Sequence, residues 1–129
     1  MRISWTKDPV NTANTNRDGT GTLVKVFEAT AFGQFVDTIV CHSLGTNVQT
    51  EGVLIVTNGQ GLSQSFNNSL LGNQALAATT LGTALTGDSV VYQVGAWFDE
   101  GFEIWALVHD NQAAGRQFIA FADPTYQQY

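Results

Sequence analysis

Ser89-Val90-Val91-Tyr92-Gln93-Val94-Gly95-Ala96-Trp97-Phe98, then Asp99-Glu100-Gly101, then Phe102-Glu103-Ile104-Trp105-Ala106-Leu107-Val108-His109, is the stretch that decides the fold. Both apolar runs are rich in β-branched and aromatic residues, which pack well on a pleated surface. In the first, Val90, Tyr92, Val94, Ala96 and Phe98 fall at alternate positions; in the second, Phe102, Ile104, Ala106 and Val108 do. A period of two is the strand period. The acidic, glycine-ended triplet between them reads as a hairpin turn. The opposite faces still carry Val91 and Trp97 on one run and Trp105 and Leu107 on the other. A two-layer sandwich buries one face of each sheet. The second face of such strands must be exposed or be covered by a loop, an arm or another subunit.

Working outward, the same pattern recurs. Arg116–Asp123 follows a second hairpin-like connection at Asn111–Gly115. Upstream lie Thr22–Ala29, Phe35–Leu44 and Gly52–Asn58, the last ending at Asn58-Gly59. Ser65–Leu71 and Gln74–Thr80 are weaker and compatible with helix, because Leu and Ala favour it. The total is eight candidate strands separated by Gly, Asn, Asp and Thr. That spacing predicts an all-β, eight-stranded antiparallel sandwich or barrel. In Thr22–Ala29 the alternation sets Val24 and Val26 against Leu23, Lys25 and Phe27. In Phe35–Leu44 it sets Ile39, Cys41 and Ser43 on the core face and Thr38, Val40 and His42 outside.

Residues 1–21 read as an extended N-terminal arm ahead of a single sandwich domain, 22–129. Thr6–Thr22 contains Pro9, Asn11, Asn14, Asn16, Gly19 and Gly21, with Val10 as its main apolar side chain, which is loop chemistry. Ile3 and Trp5 at its tip call for burial, on the domain itself or on a neighbour.

Composition narrows the function. Of 129 residues only 12% are charged, about half the usual share, and the net charge is −6. The basic residues Arg2, Lys7, Arg17, Lys25 and Arg116 are scattered, so neither nucleic acid nor an anionic membrane is an expected direct partner. Low charge with apolar residues on both faces of several strands predicts an oligomer. The N-terminus lacks a signal-peptide apolar region, which points to synthesis in a cytoplasm. The one cysteine, Cys41, allows no internal disulfide.

No catalytic, metal or cofactor constellation is expected. His42 and His109 are far apart in sequence, without the short spacings of metal ligands. Cys41 and His42 are adjacent on a strand and point to opposite faces, so they cannot form a dyad. Asp99, Glu100 and Glu103 are explained by turn solvation. Trp97 and Trp105, on strands joined by one turn, are candidates for an aromatic platform that would bind a glycan. The expected partner-interface residues are Ile3, Trp5, Val40, His42, Trp97, Trp105, Tyr126 and Tyr129.

Asp18-Gly19-Thr20-Gly21-Thr22-Leu23-Val24-Lys25-Val26-Phe27 resembles the opening of small virion structural proteins of tailed bacteriophages, of the capsid decoration or cement type. So do Val36-Asp37-Thr38-Ile39, the turn Leu44-Gly45-Thr46-Asn47, and Gly101-Phe102-Glu103-Ile104 with Ala113-Ala114-Gly115 before the last strand. The likeness runs from about Asp18 to Tyr126. It implies a jelly-roll-like sandwich, commonly a homotrimer, on the outside of a virion and bound to the lattice of the major capsid protein. A tail or fibre component and a carbohydrate-binding appendage are the other roles considered.

Overall fold

A computed structural model of the chain describes residues 2–17, 19–30, 32–58, 68–80 and 89–123. These residues form β1 (Arg2–Trp5), β2 (Val24–Glu28), β3 (Gln34–Ser43), β4 (Thr50–Thr57), β5 (Asn68–Leu76), β6 (Ser89–Phe98), β7 (Glu103–Val108) and β8 (Arg116–Asp123). They make two four-stranded antiparallel sheets, in the orders β1-β8-β3-β6 and β2-β7-β4-β5. The pairs β1/β8, β2/β7, β3/β6 and β4/β5 are nested one inside the next and alternate between the sheets. This is one long hairpin rolled into a sandwich, the jelly roll.

The expected total of eight strands is met with a different membership. Arg2–Trp5 is a strand in the first sheet and not a free arm tip. The two weak runs around Gly72 are one strand, β5, whose register against β4 slips between Leu54 and Ile55. The part of the first weak run at 65–67 lies outside the described residues.

Both supposed hairpin turns correct themselves in the same way. β6 and β7 belong to different sheets, as do β7 and β8. The 99–101 turn, with Gly101 at φ 90° and Phe102 N donating to Asp99 O, carries the chain across the sandwich. A short turn between apolar runs looks alike whether it closes a hairpin or bridges two layers.

The core lies between the sheets. Phe118, Ile39, Val36 and Tyr92 project from one sheet, and Phe27, Leu54, Ile104 and Leu76 from the other. Phe27 and Phe98 meet edge to face at 6.2 Å, and Tyr92 packs on Phe118 at 6.0 Å. The Tyr92 hydroxyl donates to Gly52 O. The assignment of Phe27 to the face opposite Val26 fails, because a bulge between Lys25 and Phe27 lets both enter the core.

The N-terminal segment folds back on its own domain. Thr6 N donates to Phe118 O, Val10 exchanges backbone hydrogen bonds with Arg116, and Asn14 N donates to Val108 O. Val10 and Thr6 are buried.

Candidate docking face

β3 sets the site. As its alternation requires, Ile39, Cys41 and Ser43 are buried, while Thr38, Val40 and His42 face outward and are half-buried. Strand register then aligns their neighbours. Val40 stands opposite Ile119 on one side and Val91 on the other, and Ile119 stands opposite Trp5. Trp5, Ile119, Val40 and Val91 therefore form one row across all four strands. Ile3, Phe121, Thr38 and Gln93 form the next row, and Phe35 stands opposite both Asp123 and Trp97 beyond it. None of the eight residues in the first two rows is ionisable.

The face is open. Trp5 is 53% exposed, Ile3 50%, Val91 45% and Trp97 36%. Phe32 projects further still, at φ 74°, next to Gly33. Gly33 is required there: a Cβ would stand 2.7 Å from the Trp97 ring. At the other end the rows close on polar residues, with His42 Nδ1 3.3 Å from Ser89 Oγ. Covering the exposed half of Trp5 alone would remove roughly 100 Å² from water, about 2.5 kcal/mol.

Part of the opposite outer face is buried within the chain. Val53, Ile55 and Leu107 lie outside the main core yet are fully buried, with Leu23 packed against them. The segment that leads to Leu23 is pinned along this sheet, by the Ala13–Val108 bridge and by Arg17 ion-paired with Glu51 at 2.7 Å. Glu51 also accepts from Asn73, and these two donors hold its carboxyl below the usual carboxylate range.

Of the expected interface residues, Ile3, Trp5, Val40, His42 and Trp97 share the open face. Trp105 does not. It lies on the other sheet, where its Nε1 donates to Glu103 and Lys25 Nζ sits 5.9 Å from its ring centre. Trp97 and Trp105 are thus not cross-strand neighbours and form no common platform. Tyr126 and Tyr129 lie outside the described residues. Sequence reasoning missed Ile119, Phe121, Val91 and Phe35. The signal for the first two was present: Gln117, Ile119 and Phe121 alternate with Phe118, Ala120 and Ala122.

The chemical candidates serve the fold. Cys41 is buried, and desolvation pushes its thiol up to about 12. Glu103 is engaged by Lys25 and Trp105. Asn16 closes a loop with Asn14 and Thr20. Among the described residues no three His, Cys, Asp or Glu side chains gather as a metal set would. The two turn motifs of the phage resemblance meet each other: Asn47 Oδ1 accepts from Ala114 N and Gly115 N, and its Nδ2 donates to Gly115 O and Ser43 Oγ. Buried Arg116 ties the same end together, donating to Gln112, Val48 O and Ala77 O. Burial pulls its guanidinium below its ordinary range.

No known family profile matches the chain, and no curated protein matches it. Two solved structures resemble it. One is of infectious bursal disease virus, Gx strain, at 12% identity and a TM-score of 0.37, over 97% of this chain and 33% of that one. The other is of the Gt strain of the same virus, at 13% identity and a TM-score of 0.34, with the same coverage. The chain spans about a third of the length of the solved chains it resembles.

Proposed function

We propose that the chain is a virion structural protein of the decoration or cement type, which docks on an assembled capsid shell through the open face of the β1-β8-β3-β6 sheet. The observation that carries this reading is the uncharged row Trp5-Ile119-Val40-Val91, with Trp5 and Val91 exposed, while Val53, Ile55 and Leu107 on the opposite outer face are buried. The phage resemblance of the turn and strand motifs supports the same role. The work is mechanical and not catalytic. A protein that binds the assembled lattice better than free subunits stabilises the lattice by linkage, and repeated contacts around the shell add by avidity.

The test is co-sedimentation of the purified protein with empty shells of its own virus, with copies per shell counted. Saturable binding in a fixed ratio, lost in Val40→Asp, supports the reading. Failure of the folded protein to bind shells overturns it.

A further inference from the structure

One side chain at the end of the open face is held in a conformation it disfavours. Phe32 has φ 74°, in the left-handed region, which a bulky L-residue enters only at a cost. Its side chain is 86% exposed, so packing within the chain offsets little of that cost. A glycine would serve the same turn without strain. The turn itself is fixed. Gly33 N donates to Thr30 O at 3.0 Å, and Thr30 N donates to the side chain of buried Gln34 at 3.2 Å. Ala29 N donates to Phe102 O and Ala29 O accepts from Gly101 N, which ties this crossing to the 99–101 turn. Gly33 is pressed against the Trp97 ring and Phe98 O, which lie 2.7 and 2.8 Å from where a Cβ would stand. Strain kept in a rigid turn, on a side chain that points into water, marks a residue shaped for something outside the chain.

The surroundings of Phe32 select the partner. Trp97 lies against Gly33 and stands opposite half-buried Phe35, so three aromatic residues gather at this end of the face. The segments that meet there, 24–37 and 96–103, hold five acidic residues and one basic. The basic one, Lys25, is engaged by Glu28 and Glu103. Asp37, Asp99 and Glu100 are exposed, and Asp123 stands opposite Phe35. An aromatic knob with an acidic collar is repelled by an anionic lipid surface and matched by a protein socket whose rim is basic.

We propose that Phe32 is the anchor of the docking face, and that it inserts into an apolar socket with a basic rim on the shell. This rests on the docking role given above and deepens it. Burying the ring removes roughly 150 Å² from water, the scale of an interface hot spot. The fixed turn presents the ring already ordered, so little conformational freedom is lost at contact. The acidic collar sets orientation and speeds encounter.

The experiment is co-sedimentation of the full chain with empty shells of its own virus, with melting temperatures measured in parallel. Phe32→Gly should weaken shell binding at least about thirtyfold. It should hold the melting temperature within about 3 °C or raise it, since it removes strain and little packing. A larger fall in melting temperature would make Phe32 part of the fold, and wild-type binding would mean that the shell does not use it; either overturns the proposal. The double change Asp99→Lys and Glu100→Lys should weaken binding at least about tenfold, and equal or tighter binding overturns the basic rim. Pelleting of the wild type with phosphatidylglycerol vesicles, lost in Phe32→Gly, would make the partner a membrane and overturn it too. Failure of the wild type to bind shells is a separate result, which sinks the docking role and this anchor with it.

Discussion

Replacing Asn47 with Ala tests whether the join between the Gly45–Asn47 turn and the Ala113–Gly115 turn holds this end of the sandwich. The side chain makes four hydrogen bonds of 2.8–3.0 Å in a buried setting. Three of the groups it serves keep another partner: Ala114 N has Thr46 O, Gly115 O has Leu44 N, and Ser43 Oγ has Gly45 O. Only the Gly115 N–H is orphaned, at about 1–3 kcal/mol. The three remaining losses add about 0.5 kcal/mol each. The expected cost is therefore about 3 kcal/mol, a large share of a stability of about 5–15 kcal/mol. In urea unfolding with a slope near 2 kcal/mol/M, the midpoint should fall by about 1.5 M with the slope unchanged. A loss below about 1 kcal/mol would refute the reasoning, because it would mean that water or a loop shift replaces these bonds at little cost.

On the open face, Trp5→Ala should cut shell binding at least tenfold and shift the melting temperature by less than about 3 °C, read by co-sedimentation and calorimetry. Deleting residues 2–14 should lower the melting temperature by roughly 15 °C, since it removes β1, the Thr6–Phe118 bonds and buried Val10. An unchanged melting temperature would mean that the arm is not part of the fold. The Cys41 thiol, raised to about 12, and the Tyr92 hydroxyl, raised by burial, both stay neutral in the folded protein where the unfolded chain ionises. Stability should therefore be level between about pH 6 and 8 and fall by about 1.4 kcal/mol per unit once the unfolded thiol titrates. The fall should steepen above about pH 10 as Tyr92 joins, and Cys41→Ala should remove its first part.

Much of the fold was legible because alternation on β3, β7 and β8 is set by burial of one face. Ile39 and Cys41 against Val40 and His42, and Ile104 and Ala106 against Trp105 and Leu107, fall where the period of two puts them. Sheet membership was not legible. Nothing local in Asp99-Glu100-Gly101 distinguishes a hairpin from a bridge between layers, and the misplaced pairing of Trp97 with Trp105 followed from that. β1 was hidden for another reason. Four residues are too few to show a period, and Arg2–Trp5 is a strand because β8 offers it an edge. The docking face was half-visible: Ile3, Trp5, Val40 and Trp97 stood out singly, but only register shows that they share rows with Ile119, Phe121 and Val91.

The nested strand order also governs how the chain comes together in time. β4 and β5 are neighbours in sequence and can pair early, whereas β1 must wait for β8, with Thr6 and Phe118 joined across 112 positions. Closing such a loop yields no contacts until it is complete, which places folding in the slow, millisecond-to-second class. During synthesis β1 leaves the ribosome more than a hundred positions ahead of its partner strand. Until Phe118 follows, Ile3 and Trp5 travel without β8 beside them, and a chaperone or an early neighbour has its longest opportunity at β1.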